Sequence, residues 1–144
     1  MTIIHSSAIK AATPRPQTAG AVHAAIFTHT FDAAFTASGN ILEMGVLPPF
    51  AKIVGYDVIP EGSYGGATFS MGLLTGILGD DGSRTQGAEL FAAATALTAA
   101  LHGATPAAFT TAPSDKERGI GMTLSADVSA SASKKVTLIL FYTQ

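Results

Sequence analysis

The sequence predicts a mainly β fold: an antiparallel β-sandwich, jelly-roll-like, with one inserted α-helix at about residues 85–102. Three observations carry that expectation. Short segments alternate apolar and polar residues with a period of two, the mark of strands half buried on a sheet. Turn signals recur every 8–12 residues or so, as in a sandwich of short strands. One alanine-rich stretch instead spaces its leucines by fours and threes, which is helical.

Residues 1–20 carry little pattern and end in Thr13-Pro14-Arg15-Pro16-Gln17-Thr18-Ala19-Gly20. Prolines at 14 and 16 remove ladder donors and favour extended polyproline geometry, so the segment reads as an arm or as a frayed terminus. The domain division is then an extended N-terminal arm, 1–20, and a single β-sandwich domain, 21–144. Residues 22–31 form the first sandwich strand, rich in β-branched and aromatic residues such as Ile26, Phe27, Thr28 and Phe31. Residues 40–47 form the next, opened by Ser38-Gly39-Asn40 and stopped by Pro48-Pro49. The strand 52–59 is apolar on both faces, as in a strand covered on each side, and stops at Pro60-Glu61-Gly62. Residues 67–75 place Phe69, Met71 and Leu73 on one side and Thr68, Ser70 and Gly72 on the other.

Asp80-Asp81-Gly82-Ser83 is a turn. The helix follows, with Thr85 or Ser83 as its cap, Glu89 in its first turns and Gly103 beyond its end. Leu90, Ala94, Leu97 and Leu101 form its stripe, and its alanines raise helix propensity. Residues 107–111 read as a short strand before the polar loop 112–118. Residues 119–128 alternate with Ile120, Met122, Leu124, Ala126 and Val128 on one face, and 135–143 close the chain as a strongly β-prone strand.

One core suits 144 residues. Hydrophobic residues make up 47% and charged residues 12%, the latter about half the usual globular share. So thin a polar surface, with much of the apolar share in small alanines, points to burial against another chain. The net charge is −2, and the eight basic residues are scattered, with only Lys134 and Lys135 adjacent. Nucleic-acid binding needs clustered cations, so no nucleic-acid partner is expected. There is no cysteine, which excludes disulfides, thiolate metal sites and a Cys nucleophile. Neither a secretory leader nor an apolar run of about 20 residues is present, so no membrane partner is expected.

The chemistry-bearing residues favour plain readings. His23 and His29 share a strand face but stand roughly 20 Å apart by strand rise, too far for one metal ion. His102 suits a helix C-terminus, where the dipole favours a cation. Asp80-Asp81-Gly82 lacks the ligand spacing of a calcium loop. Asp57, in an apolar strand, either pairs with Lys52 or an Arg at a subunit contact or points to solvent. Gly62-Ser63-Tyr64-Gly65-Gly66 has no helix behind it to hold a phosphate. No nucleophile elbow, HExxH or Walker loop occurs. The chain is read as not an enzyme, with no catalytic, cofactor-binding or metal residue and no cofactor.

The run ILEMGVLPPFAKIVGYDVI at 41–59 resembles a segment of small tailed-phage virion proteins, in which one strand runs to a Leu–Pro corner and the next begins the other sheet. The 69–73 strand, the acid-and-glycine turn, the alanine-rich 88–101 stretch and the two closing strands are similar too. The resemblance spans residues 22–142. It implies a capsid decoration (cement) or head-fibre type β-sandwich, a homotrimer that binds the major capsid protein on the capsid surface. It brings no catalytic residue with it. The N-terminal arm then reaches the shell, and several weak contacts add through multivalency. Two alternatives stay open. One is a ligand- or glycan-binding module using loops 61–66 and 113–118, with Tyr64 and Arg118 as contacts; the other is a tail or connector subunit. By size and position Phe27, Phe50 and Tyr142 are the candidate interface residues.

Overall fold

The computed structural model describes residues 1–6 and 20–144; residues 7–19, most of the expected arm, lie outside the described residues. The described chain contains nine strands and one short helix: β1 Thr2–His5, β2 His23–Thr30, β3 Asn40–Leu47, β4 Lys52–Glu61, β5 Thr68–Leu73, β6 Phe91–Ala96, β7 Leu101–Gly103, α1 Pro106–Thr110, β8 Arg118–Leu124 and β9 Lys135–Thr143. They make a β-sandwich of a five-stranded sheet, β1-β3-β8-β5-β6, and a four-stranded sheet, β2-β9-β4-β7.

The pairings are nested. β2 pairs with β9, β3 with β8, β4 with β7 and β5 with β6, all antiparallel. The chain therefore changes sheet at most connections. The 48–51, 74–90 and 104–117 connections gather at one end of the sandwich, the Pro48 end. The 31–39, 62–67, 97–100 and 125–134 connections gather at the other, the Gly62 end. Between the sheets lies the core, where Phe27, Met44, Tyr56, Phe69, Met71, Met122, Leu138 and Tyr142 are all at most 2% exposed. Edge-on aromatic pairs lock it: Phe31 with Tyr64 at 5.8 Å between ring centres, and Tyr56 with Phe91 at 5.3 Å.

The β strands read at 40–47 and 135–143 match the observed elements residue for residue. The helix expected at 85–102 does not form. That stretch holds β6, β7 and their connections instead, and the helix of the fold is α1, where a strand had been expected. Tertiary contacts override a modest alanine propensity here. The backbone of Leu90 donates to Met71 O at 3.1 Å, and that of Leu97 to Ala67 O at 3.2 Å. The Leu90 carbonyl accepts from Tyr56 Oη and from Thr105 Oγ1, each at 2.7 Å. A helix would withdraw these groups and lift Phe91 off Tyr56 and Phe69. The expected leucine stripe is accordingly broken: Leu90 and Leu97 are buried, whereas Ala94 is exposed with a φ of 70°. Residues 106–110 become helical because Pro106 sits in the first turn, with its ring angle already helical and no donor to lose.

The N-terminal residues also differ from a free arm. β1 pairs in parallel with β3, from Thr2 opposite Asn40 to His5 opposite Glu43. Ile3 packs with Ile41 and Leu74 in a second small cluster on the outer side of the five-stranded sheet. Gly121 lies beneath it, and an added Cβ would come within 2.6 Å of the Leu74 side chain.

Candidate assembly surface

The residues that could carry chemistry are mostly tied into the fold. Among the described residues no three His, Asp or Glu side chains come together as a metal site. His29 is 9% exposed, edge-on to Phe31 at 4.9 Å, and His23 stacks near Tyr142 at 5.9 Å. His102 does not end a helix. It sits in β7, and its Nδ1 lies 2.6 Å from Asp57 Oδ1 across the β4–β7 pair, which identifies the partner of Asp57 as neither Lys52 nor solvent alone. In the acid-and-glycine turn the Gly82 amide donates to Asp80 Oδ1 at 3.0 Å, an Asx-type turn as composition suggested.

A buried charged network lies on the outer side of the five-stranded sheet. Glu43 is 0% exposed and Arg84 4% exposed, and Arg84 Nη1 donates to Glu43 Oε1 at 2.7 Å. Arg84 Nε donates to the Thr75 carbonyl at 2.7 Å, holding the 74–90 connection against the sheet. His5 places Nδ1 2.7 Å from Glu43 Oε2 and Nε2 3.1 Å from Asp81 Oδ1. Carboxylates only accept, so both contacts are hydrogen bonds only when the imidazole carries both protons. Ser6 completes the clasp, its Oγ donating to Met44 O at 2.7 Å. This network pins β1 and the 74–90 connection together and leaves Gly119 no room for a side chain, since a Cβ there would strike Glu43 Oε1. A single acid inside the doubly apolar 41–47 strand was the available signal, and its partners at 5 and 84 are too distant in sequence to be named from it.

The loops proposed for a ligand do not meet. Glu61 is the last residue of the ten-residue β4, while Arg118 begins β8 opposite Leu47, so loops 61–66 and 113–118 lie at opposite ends of the sandwich. Tyr64 is 7% exposed and spends its hydroxyl on the Lys135 carbonyl at 2.7 Å. Burial, helped by the charge of Glu61, pushes its pKa well above the ordinary phenol value. Arg118 lines a separate recess of about 540 Å³ with Glu89, Lys116 and Glu117. Burial lowers its pKa, and the nearby Glu89 charge works against that.

What the surface does offer is apolar area, unevenly placed. Of the three large side chains singled out by size, Phe27 and Tyr142 are core residues, 2% exposed each, and only Phe50 stands out, at 63%. Inward-facing strand positions claim the first two. Val22, Ile26, Val54 and Ile77 are also exposed. Val22, Phe50 and Val54 lie at or beside the Pro48 end, and Ile77 lies on a connection that leaves it. Among the exposed large apolar side chains of the described residues, Met1 alone sits at the Gly62 end.

No protein-family model matches the chain, and no curated protein matches it. Solved structures do. A chain of the capsid of Ralstonia phage GP4 is 30% identical with a TM-score of 0.85, over 99% of this chain and 97% of that one. A chain of the cyanophage Pam1 capsid asymmetric unit shares the fold at a TM-score of 0.58 and 16% identity, over 92% and 91% of the two chains. A chain of the acidic stable capsid of Helicobacter pylori bacteriophage KHP30 shares it at 0.50 and 11%, over 88% and 90%. Nearly one residue in three held in common with the GP4 chain, along almost the whole of both, settles the affiliation: the protein belongs to that family of phage capsid structural proteins and is a component of the virion.

Proposed function

We propose that the chain is a capsid decoration (cement) protein that assembles as a homotrimer and binds the major capsid protein on the outer surface of the shell. The observation that carries this reading is the end-to-end likeness to a GP4 capsid chain, joined to a core closed within a single sandwich. A subunit that completes its own core needs no neighbour to fold and can be added to a finished shell. The nested pairing supports a jelly-roll reading, one long hairpin wrapped into two sheets, whose compact body leaves its end loops for contacts. Low charge and the exposed apolar residues support self-association. Residues 1–20 add a further contact with the shell, held at their start by β1.

Shells of the parent phage made without this protein provide the test. They are expected to assemble and then to take up added protein to a fixed stoichiometry, seen by co-sedimentation. If no shell forms in its absence, the chain builds the shell and the decoration reading fails. Light scattering behind a sizing column is expected to give three times the 14.6 kDa chain mass; a monomer at all concentrations overturns the trimer.

A further inference from the structure

His5 is the one titratable side chain of β1, and it is set between two carboxylates carried by different elements. Glu43 comes from β3, beside which β1 runs in parallel, and Asp81 from the 74–90 connection. Their surroundings differ: the Glu43 side chain is 0% exposed and that of Asp81 79%. Arg84, from the same connection as Asp81, meets the other oxygen of Glu43. These four groups balance in charge only when the imidazole is protonated, two cations against two carboxylates. A neutral ring has a single N–H, so one carboxylate is left without a donor and buried Glu43 loses one of its two cations. The remaining ionisable groups nearby are placed otherwise. Asp80, next in the turn, accepts the Gly82 amide, and the Met1 amine stands four residues along the strand, about 13 Å by strand rise.

The rest of the hold on β1 is slight. It is a four-residue edge strand with one partner, and Ile3 is its one buried side chain. The Thr2 amide donates to the Gly39 carbonyl at 2.6 Å, the Ser6 amide to the Glu43 carbonyl at 3.0 Å, and Ser6 Oγ to the Met44 carbonyl at 2.7 Å. An edge of this size opens locally without unfolding the body, so a charge-assisted contact weighs heavily in how often it does.

We propose that His5 is a proton-operated latch: protonated, it fastens β1 to both β3 and the 74–90 connection, and deprotonated, it lets residues 1–6 leave the sheet edge. The docked strand needs the protonated ring and the released strand does not. Docking is therefore firm at low pH and weakens as pH rises through the range in which histidine loses its proton. Release uncovers Ile41 and Leu74 and leaves the β3 edge unpaired, so one proton controls both the start of the chain and an apolar strand edge. The latch needs no shell and no second copy.

Hydrogen exchange of the full chain tests it, read by mass spectrometry on the peptide covering residues 1–6 and corrected for the intrinsic pH dependence of exchange. Between about pH 5.5 and about pH 8.5, which brackets histidine titration, opening of that peptide is expected to rise at least about tenfold, the worth of one hydrogen bond to a charged group. The peptide 135–143, at the centre of the other sheet, is expected to stay equally protected. His5→Gln, neutral throughout, is expected to open to the same extent at both pH values. Asp81→Asn, on the exposed turn, leaves the Glu43–Arg84 pair in place and is expected to shrink the rise. No rise in the unaltered chain, or the same rise in His5→Gln, overturns the latch. Opening of 135–143 in step with 1–6 also overturns it, because the whole body then unfolds. An undiminished rise in Asp81→Asn overturns the part assigned to Asp81.

Discussion

Glu43 and Arg84 show how a buried pair can be indispensable without being a net source of stability. Removing two charges from water costs about as much as their attraction returns, but removing one of them strands the other. Glu43 is fully buried and has Arg84 and His5 as its partners, so Glu43→Leu or Arg84→Met alone is expected to cost about 3–5 kcal/mol in urea unfolding. Glu43→Leu combined with Arg84→Met is expected to cost clearly less than the sum of the single changes, because no lone charge remains. Additive losses would mean that the two side chains act independently. The tyrosines make a second residue-scale case. Burial raises the pKa of both Tyr64 and Tyr142 in the folded chain. The unfolded chain, with ordinary phenols, then loses these protons first, so stability falls as pH rises above about 10. Tyr64→Phe is expected to flatten that alkaline loss in melts recorded from pH 8 to 11, while lowering stability at neutral pH by the hydrogen bond to Lys135. An unchanged alkaline slope would place the titration elsewhere.

Strands were legible wherever a period of two ran between turn residues, as at 40–47 and 135–143, because one buried face imposes that period directly. The 85–102 stretch was not. Its leucine spacing fits a helix, and alanine favours one, yet the free energy at stake per residue is a few tenths of a kcal/mol. Against that stand the edge of β5, which needs a partner, and Phe91, which fills the space between Tyr56 and Phe69. Neither demand is visible locally. The two conformations make opposite predictions at Ala94. In a helix Ala94→Gly would cost about 1 kcal/mol. At a φ of 70° on an exposed bulge it is expected to raise stability by about 0.5–1 kcal/mol, read as an increase in Tm. A lowered Tm would return this stretch to the helix. The clasp at Glu43 was not read from the sequence, though one signal for it was there. An acid in a doubly apolar strand demands a partner, but pairing residues 5, 43 and 84 requires the strand order.

That order belongs to the whole molecule, and alternation says nothing about it. Nesting places the last strand in the middle: β9 is bonded along its length to β2 on one side and β4 on the other. Val136, Leu138, Leu140 and Tyr142 all point into the core, each at most 2% exposed. β1, by contrast, holds an outer edge through one parallel partner and covers a satellite cluster of Ile3, Ile41 and Leu74. The two termini therefore differ in kind. Deleting residues 135–144 removes the centre of the four-stranded sheet, strands the donors and acceptors of β2 and β4, and opens the core to water; no cooperative urea transition is expected to remain. Deleting residues 1–6 removes an edge, exposes Ile41 and Leu74 and takes His5 from Glu43, so a cooperative transition is expected to survive at a lower midpoint. Circular dichroism followed through urea distinguishes the two chains. A C-terminal truncation that still unfolds cooperatively would mean that β2 and β4 find each other without β9, and the nested order would not be what holds the sandwich together.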